Sequence, residues 1–517
     1  MNIRIADYTA RSAVFDIEDG GIYQTEKDYE LYLNGTFTGK ADKVIFPVYG
    51  LEPDTFYKAE LKRDGALLGE ISFQTEKESV TLNVREFGAA GDEKKDDTLA
   101  LQTAILSCPQ GGRVLIPRGI YRFVCLFLKS HIRLELEEGA ELSAVTDREA
   151  FPYFPGTIEG TDGQVYQFGT WEGTPAKMFA GILTGMEVED VKIYGKGAIN
   201  GNASHKNWWH NCTQMVTAWR PRTVFFNHCN NISMIGVTVK NSPSWTIHPY
   251  FCENMKFLAL EILNPKDSHN TDGLDPESCC HVELAGIHFS VGDDCIAIKS
   301  GKIDMGKTYK TPCEDIVIRQ CSMNDGHGSV VLGSEIGAGV RHLTVKDCIF
   351  NGTDRGLRIK TRRGRGEDCV VDDVVFENIK MNHVLTPFVV NCFYFCDPDG
   401  KSDYVQSKES LPVDERTPDI RKLSFKKIEA KNAAYAAVCA YGLPEQKIGC
   451  LEFENISVTY DKTVMPGVPA MMCGMDPMKG AGIFVRNVKI LSLKQVHIEG
   501  CEEPVLDAAG VEKLIEE

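Results

Sequence analysis

Four short polar motifs stand in order along the chain: Asn270-Thr271-Asp272-Gly273, Gly292-Asp293-Asp294, Gly326-His327-Gly328 and Arg358-Ile359-Lys360. Aspartate is a residue type that gives and takes protons during bond hydrolysis, where one carboxyl must be protonated while another is ionised. Holding Asp272, Asp293 and Asp294 close together would create that split, because like charges raise the proton affinity of at least one carboxyl. Adjacent aspartates also serve as turn formers and as calcium ligands. Arg358 and Lys360 are two apart, so on a strand they share a face and can grip an anion by charge-assisted hydrogen bonds. Around them lie Arg355, Arg362, Arg363 and Arg365, a run of cations that asks for an anion in a chain of net charge −17. The glycines beside His327 permit close backbone approach to a ligand.

The intervals between the motifs are 21 residues (Asp272 to Asp293), 33 (Asp294 to His327) and 31 (His327 to Arg358). In a parallel solenoid, successive coils stack about 4.8 Å apart, so residues one coil apart in sequence become neighbours on one face. A loose repeat supports that architecture. A polar pair, alternating aliphatics and a turn recur at Asn230-Asn231, Glu253-Asn254, Glu314-Asp315, Arg341-His342, Asp372-Asp373 and Glu454-Asn455. Strands repeating at such intervals without helices between them mark a β-solenoid, where a sandwich would not repeat. At its head, Asp96-Asp97-Thr98 opens a helix predicted over Leu99 to Leu106, suited to cap the open end of a solenoid. The aromatic segment Phe151 to Phe179, with Trp208, Trp209 and Trp219, reads either as core packing or as an insertion over the cleft.

Together these motifs resemble the fingerprint of glycoside hydrolase family 28, the polygalacturonases, and Arg220-Pro221-Arg222, Asn241-Ser242-Pro243-Ser244-Trp245 and Asp275-Pro276 add to the likeness. Glu86 to Tyr121 likewise resembles the cap and first coil of pectin-lyase-like β-helices. The resemblance implies an all-β fold, a right-handed parallel β-helix, and hydrolysis of α-1,4 galacturonide bonds with inversion. It makes Asp293 the general acid, with Asp272 and Asp294 holding and deprotonating the water. His327 would support the acid or the sugar. Arg358, Lys360, Asn270 and Tyr394 would contact substrate, the first two clamping a sugar carboxylate. Exo action is expected if the insertion closes the groove. No cofactor or metal is implied. Rhamnogalacturonan or xylogalacturonan hydrolysis uses the same aspartates, and a non-catalytic carbohydrate-binding β-helix would leave their register without purpose.

Residues 1–78 alternate in short strands broken by turns, a small β-sandwich ahead of a β-helix expected over 79–517. Gly50-Leu51-Glu52-Pro53-Asp54-Thr55-Phe56-Tyr57 resembles the fibronectin type III stretch in which a tyrosine hydroxyl staples a corner. Every tryptophan lies at or beyond position 171, so the tryptophan usual in such sandwiches is missing. The negative net charge argues against nucleic acid as a partner, and no apolar run approaches the roughly 20 residues of a membrane span. The expected partner is a pectic saccharide. Eighteen cysteines follow no CxxC or zinc spacing, and the N-terminus alternates like a strand, so the expectation is a cytoplasmic protein with reduced thiols.

Overall fold

The computed structural model describes the backbone of residues 1–517 and every side chain except that of residue 503. From Thr81 onward the chain winds as a right-handed parallel β-helix. Ile132–Leu136 stacks on Gly112–Ile116, and Ala140–Ala144 on Gly119–Phe123, beginning two ladders of a 23-stranded sheet. The polar pairs explain how each coil turns. Asn231, Asn254, Asp315, His342, Asp373 and Asn455 all have φ between 50° and 55°. Asn, Asp and His are the non-glycine residues most tolerant of this left-handed region, so one such residue recurs near the start of the strand at the first five positions, while Asn455 marks a bend inside the long strand Ile448–Tyr460.

A third side is built from two shorter ladders. Four strands, Leu126–Phe127, Leu183–Met186, Val224–Asn227 and Ile247–Tyr250, are followed by seven that start at Asp294–Ile298, Gly328–Gly333, Arg355–Lys360 and Thr386–Asn391. Between the ladders one coil has only isolated bridges, Leu274 to Ile247 and Ile296, and Glu277 to Tyr250 and Lys299. Asp272 sits at this break, where the chain is free of the strict strand geometry on either side. Four buried thiols also stack one per coil: the backbone amides of Cys229, Cys252 and Cys279 donate to the sulfur of the next, Cys252, Cys279 and Cys313, at 3.4, 3.4 and 3.3 Å.

Helix Thr98–Ser107 covers the first coil with Leu101, Ala104 and Ile105. Leu99 and Leu106, the ends of the predicted helix, are exposed at 79% and 59%. Asp97 stands at the helix start without capping it. Its carboxylate instead accepts from the amides of Ala90 and Gly91 at 2.7 and 2.8 Å, bracing the preceding turn.

The N-terminal unit pairs Asn2–Tyr8, Ser12–Glu18 and Ile45–Tyr49 in one sheet, and Thr36–Lys43, Gln24–Leu33, Phe56–Arg63 and Ala66–Gln74 in the other. The Tyr57 hydroxyl accepts from the Glu52 amide at 3.0 Å, pinning the corner. Phe15 and Tyr57 pack on Phe73, with ring centres 5.9 and 5.7 Å away, in a sandwich that contains no tryptophan. This unit lies against the outer surface of the β-helix. Ile45 and Val44 cover Tyr194, Ile235, Leu258 and Ala285, which point away from the helix interior. Asp7 pairs with Lys192 at 2.8 Å, and Asp16 with Arg319 at 3.0 Å. Glu76 and Glu78, in the connecting segment, pair with Lys192 and Arg133 and with Arg11 and Arg113.

Candidate active site

Asp272, Asp293 and Asp294 converge from two adjacent coils: each offers a carboxylate oxygen within 4.8 Å of the others. They line a cleft of about 270 Å³ with Asn270, Lys360 and Tyr394, and with residues the sequence did not single out, Glu172, Lys299, Glu335 and Asp397 among them. The Gly273 amide donates to the Asp294 carbonyl at 3.0 Å, fixing the two coils in register.

The three acids are electrostatically unlike. Burial would raise the proton affinity of Asp294, yet Lys360 Nζ at 2.7 Å and Arg358 Nη1 at 3.4 Å overcome it and bring its pKa down to about 2. Asp272 is pushed up to about 7, by burial and then by Asp293, with Lys299 at 3.6 Å opposing. Asp293 is raised by burial and by Asp294. Asp275 is fully buried beside them, and its proton affinity is driven well above the usual range by burial and by Asp272. The site thus holds a readily ionised carboxylate beside two of raised proton affinity, the division acid–base hydrolysis requires.

Gly328 makes the Asp294 contacts fit. It stands in register with Asp294 on the next coil, and a carbon on its Cα would fall 2.4 Å from Val331 and 3.1 Å from Asp294 Oδ1. Without that carbon, Arg358 and Lys360 reach back two coils to the aspartate. Leu357 and Ile359 alternate with them into the core, as the two-residue period requires.

Two sequence expectations are revised. The run of cations does not wait for an external anion: Arg358 and Lys360 hold Asp294, Arg362 holds Asp397 and Asp399, Arg363 holds Glu445, Arg365 holds Asp397 and Arg355 meets Asp354. Burial explains this, because a desolvated guanidinium needs a partner supplied with the fold. Arg358 and Lys360 are therefore committed first to Asp294. Asn270 likewise spends its side-chain oxygen on Arg220 Nη2, at 2.5 Å. His327 is 56% exposed at the cleft, with Nδ1 3.8 Å from Asp293 Oδ1 and its amide donating to the Asp293 carbonyl at 3.0 Å. Tyr394 lies beside Lys360, whose ammonium is 5.7 Å from the ring centre.

Lys299 is the largest omission from the sequence reading. Burial alone would discharge it, but Glu335 at 3.2 Å, with Asp272 and Asp275 at 3.6 Å each, holds it firmly protonated. Its ammonium lies 4.1 Å from the centre of the Trp245 ring. The signal was one lysine ending the apolar run Cys295-Ile296-Ala297-Ile298.

The aromatic insertion divides between both expected roles. Phe151, Phe179 and Trp208 pack in the core, whereas the hairpin Thr170–Trp171 with Thr174–Pro175 presents its tip to the cleft. The tip residues Glu172 and Gly173 have φ of 47° and 70°, as a two-residue hairpin turn prefers. Gly173 accepts from the Lys302 amide at 2.8 Å, and a carbon added to it would fall 2.7 Å from Glu335 Cβ. The wall closes on glycine alone.

These electrostatics set a pH window. Hydrolysis needs Asp294 ionised and a proton kept among Asp272 and Asp293, so kcat/KM should stay high from above about 2 and fall as pH rises through about 7. Stability moves the same way at the alkaline end: the folded state holds the Asp272 proton more tightly than the unfolded chain, whose aspartates titrate near about 3.9, so stability declines from there to about 7. Asp294 contributes oppositely, and its share is lost only as pH falls toward about 2. A pH–rate profile with no alkaline limb between about 6 and 8 would contradict this assignment.

Similarity to known proteins agrees with the geometry. The chain is 27% identical to a probable polygalacturonase of Vitis vinifera over 72% of its length and 73% of the relative's. It is 28% identical to an endo-polygalacturonase of Pectobacterium carotovorum over 71% and 85%. A solved family 28 exopolygalacturonase of Yersinia enterocolitica shares the fold of 99% of this chain and 98% of its own, with a TM-score of 0.73 at 19% identity. An exopolygalacturonase of Thermotoga maritima covers 81% and 92%, with a TM-score of 0.65 at 23% identity. Residues 81–133 match a model described as rhamnogalacturonase A/epimerase, pectate lyase-like. Residues 157–468, more than half of the chain and including every aspartate of the cleft, match glycosyl hydrolases family 28; the chain belongs to that family and is a glycoside hydrolase.

Proposed function

We propose that this glycoside hydrolase cleaves α-1,4-linked galacturonide in polygalacturonate or its oligosaccharides, from a chain end and with inversion. The observation that carries the reading is the divided triad, one aspartate held ionised by Lys360 and Arg358 and two whose proton affinity is raised by burial. The polygalacturonase names of its relatives support the substrate. Asp293, the most open of the three at 25% side-chain exposure, is the acid that protonates the leaving oxygen. Asp294 is the base, and Asp272 holds the water by a hydrogen bond.

Inversion does not follow from spacing. The oxygens lie within 4.8 Å, nearer the roughly 5–5.5 Å of retaining pairs than the 6.5–9.5 Å of inverting ones. What favours a water nucleophile is that both Asp294 oxygens already accept from cations, which blunts that carboxylate as a nucleophile. The hairpin tip at Glu172 and Gly173 supports exo action by ending the groove. A reducing compartment is supported by the eighteen cysteines, which form no disulfide among the described residues.

On polygalacturonate, monomer or dimer should accumulate from the first time points while viscosity falls slowly, every new end should be saturated, and the first product seen by proton NMR should be the β-anomer. EDTA should leave the rate unchanged, because the acid and base are side chains. Unsaturated products restored by calcium would place the chain among lyases, and an initial α-anomer would replace inversion by retention.

A further inference from the structure

Arg222 is buried, yet it has no ion-pair partner among the described residues. Its guanidinium donates to Ser244 Oγ at 2.8 Å, to the Thr170 carbonyl at 3.2 Å and to His248 Nδ1 at 3.3 Å. His248, neutral under burial and beside Arg222 and Lys299, passes its other ring nitrogen to Glu277 at 3.0 Å. Asp275 and Glu277 act on it through space without touching it, and a buried cation with no contacting anion is costly and calls for further stabilisation. Aromatic faces supply it. The guanidinium carbon lies 4.4 Å from the centre of Trp245 and 4.7 Å from that of Trp171.

Those two rings lead to different places. Trp171 belongs to the cleft-ending hairpin and stacks on Trp219 at 4.5 Å, with the planes 6° apart. Trp245 carries the Lys299 ammonium, and Lys299 touches Asp272. Ring and cation therefore alternate from the wall of the groove to the carboxylate that holds water.

We propose that Arg222 is a positioning residue that fixes the Thr170–Pro175 hairpin to the catalytic coil, through Trp171 and the Thr170 carbonyl, and so makes the groove end where it does. The proposal rests on the exo reading above. Arg222 touches no reacting atom in this role. It sets where the terminal sugar stops.

The test compares wild type, Arg222→Lys, Trp171→Leu and the double variant. Arg222→Lys keeps the charge but loses the fork that reaches Thr170 and Ser244 together. Each single variant should raise KM for a trigalacturonide about tenfold, the order of a desolvated cation–π contact with one hydrogen bond, while kcat changes less than about threefold. Polymer digests should gain early products longer than dimer. The double variant should be no worse than the weaker single one, because both break one contact. If Arg222→Lys does not fold, Trp171→Leu removes the stack from the hairpin side and must show the same shift. Wild-type product sizes in the variants, or losses that multiply, overturn the proposal. Hydrogen exchange supplies an arm free of activity: residues 157–175 should exchange faster in each variant, with Asp294–Ile298 unchanged. Equal exchange in the hairpin also overturns it. A wild type inert on galacturonide would defeat the functional reading, and the exchange arm would still decide the anchoring.

Discussion

Asp293→Asn should fold normally and lower kcat by roughly 10²-fold to 10⁴-fold, the usual worth of a positioned proton donor. The site makes this substitution unusually clean. Asp293 is the least buried of the three acids, and its closest polar contacts are the Asp294 amide at 3.1 Å and His327 at 3.8 Å. An asparagine oxygen can still accept from the Asp294 amide, and the 3.8 Å His327 contact is too long for a hydrogen bond, so asparagine keeps the shape and loses the titratable proton. Asp294→Asn should be at least as damaging to turnover but less clean, because it leaves Lys360 and Arg358 without their anion. Measuring kcat together with a melting curve separates the two cases. A folded Asp293→Asn enzyme turning over at near the wild-type rate would remove the proposed mechanism.

Lys360→Ala should cost about a hundredfold in kcat on polygalacturonate and nearly the same on its methyl-esterified form. Breaking a buried ion pair costs about 3–5 kcal/mol when one charge stays behind, and Asp294 can escape that only by taking up a proton. Either response disables the base. Because the defect lies in the catalytic carboxylate, substrate charge should matter little to the ratio between variant and wild type. The sequence alone had suggested that Lys360 clamps the sugar carboxylate, which would confine the loss to the charged substrate. The comparison of kcat/KM for both enzymes on both substrates decides, and a loss seen only on the charged form would return Lys360 to substrate recognition.

The pairing of Lys360 with Asp294 shows where sequence reading stopped. Motif order and interval were enough to bring Asp272, Asp293, Asp294, His327, Arg358 and Lys360 to one cleft, because a solenoid converts interval directly into adjacency. The repeat was legible for an equally physical reason, since each polar pair supplies a left-handed residue at a turn or bend of its coil. Partnership was not legible. Asp397, Asp399 and Glu445, which neutralise Arg362, Arg363 and Arg365, lie 32 to 82 residues further on, in loops without a repeat. Lys299 was hidden by its own strand, whose apolar run reads as core. Leu99 and Leu106 were apolar at helical spacing, and tertiary packing used Leu101, Ala104 and Ile105 instead.

The sandwich docked along the β-helix changes how the solenoid can come apart. A stack of coils in which each touches only its neighbours can fray from an end, one coil at a time. Here the sandwich and its connecting segment grip a run of successive coils at once: Arg133 and Lys192 through Glu76, Ser233 and Lys192 through Asp7, Lys256 through the Ala6 carbonyl, and Arg319 through Asp16. These rungs are bound to one splint, so none of them can peel away without tearing its contact with the sandwich. The catalytic aspartates lie on coils inside the splinted stretch, while the coils after residue 340 are left to ordinary neighbour-by-neighbour cohesion.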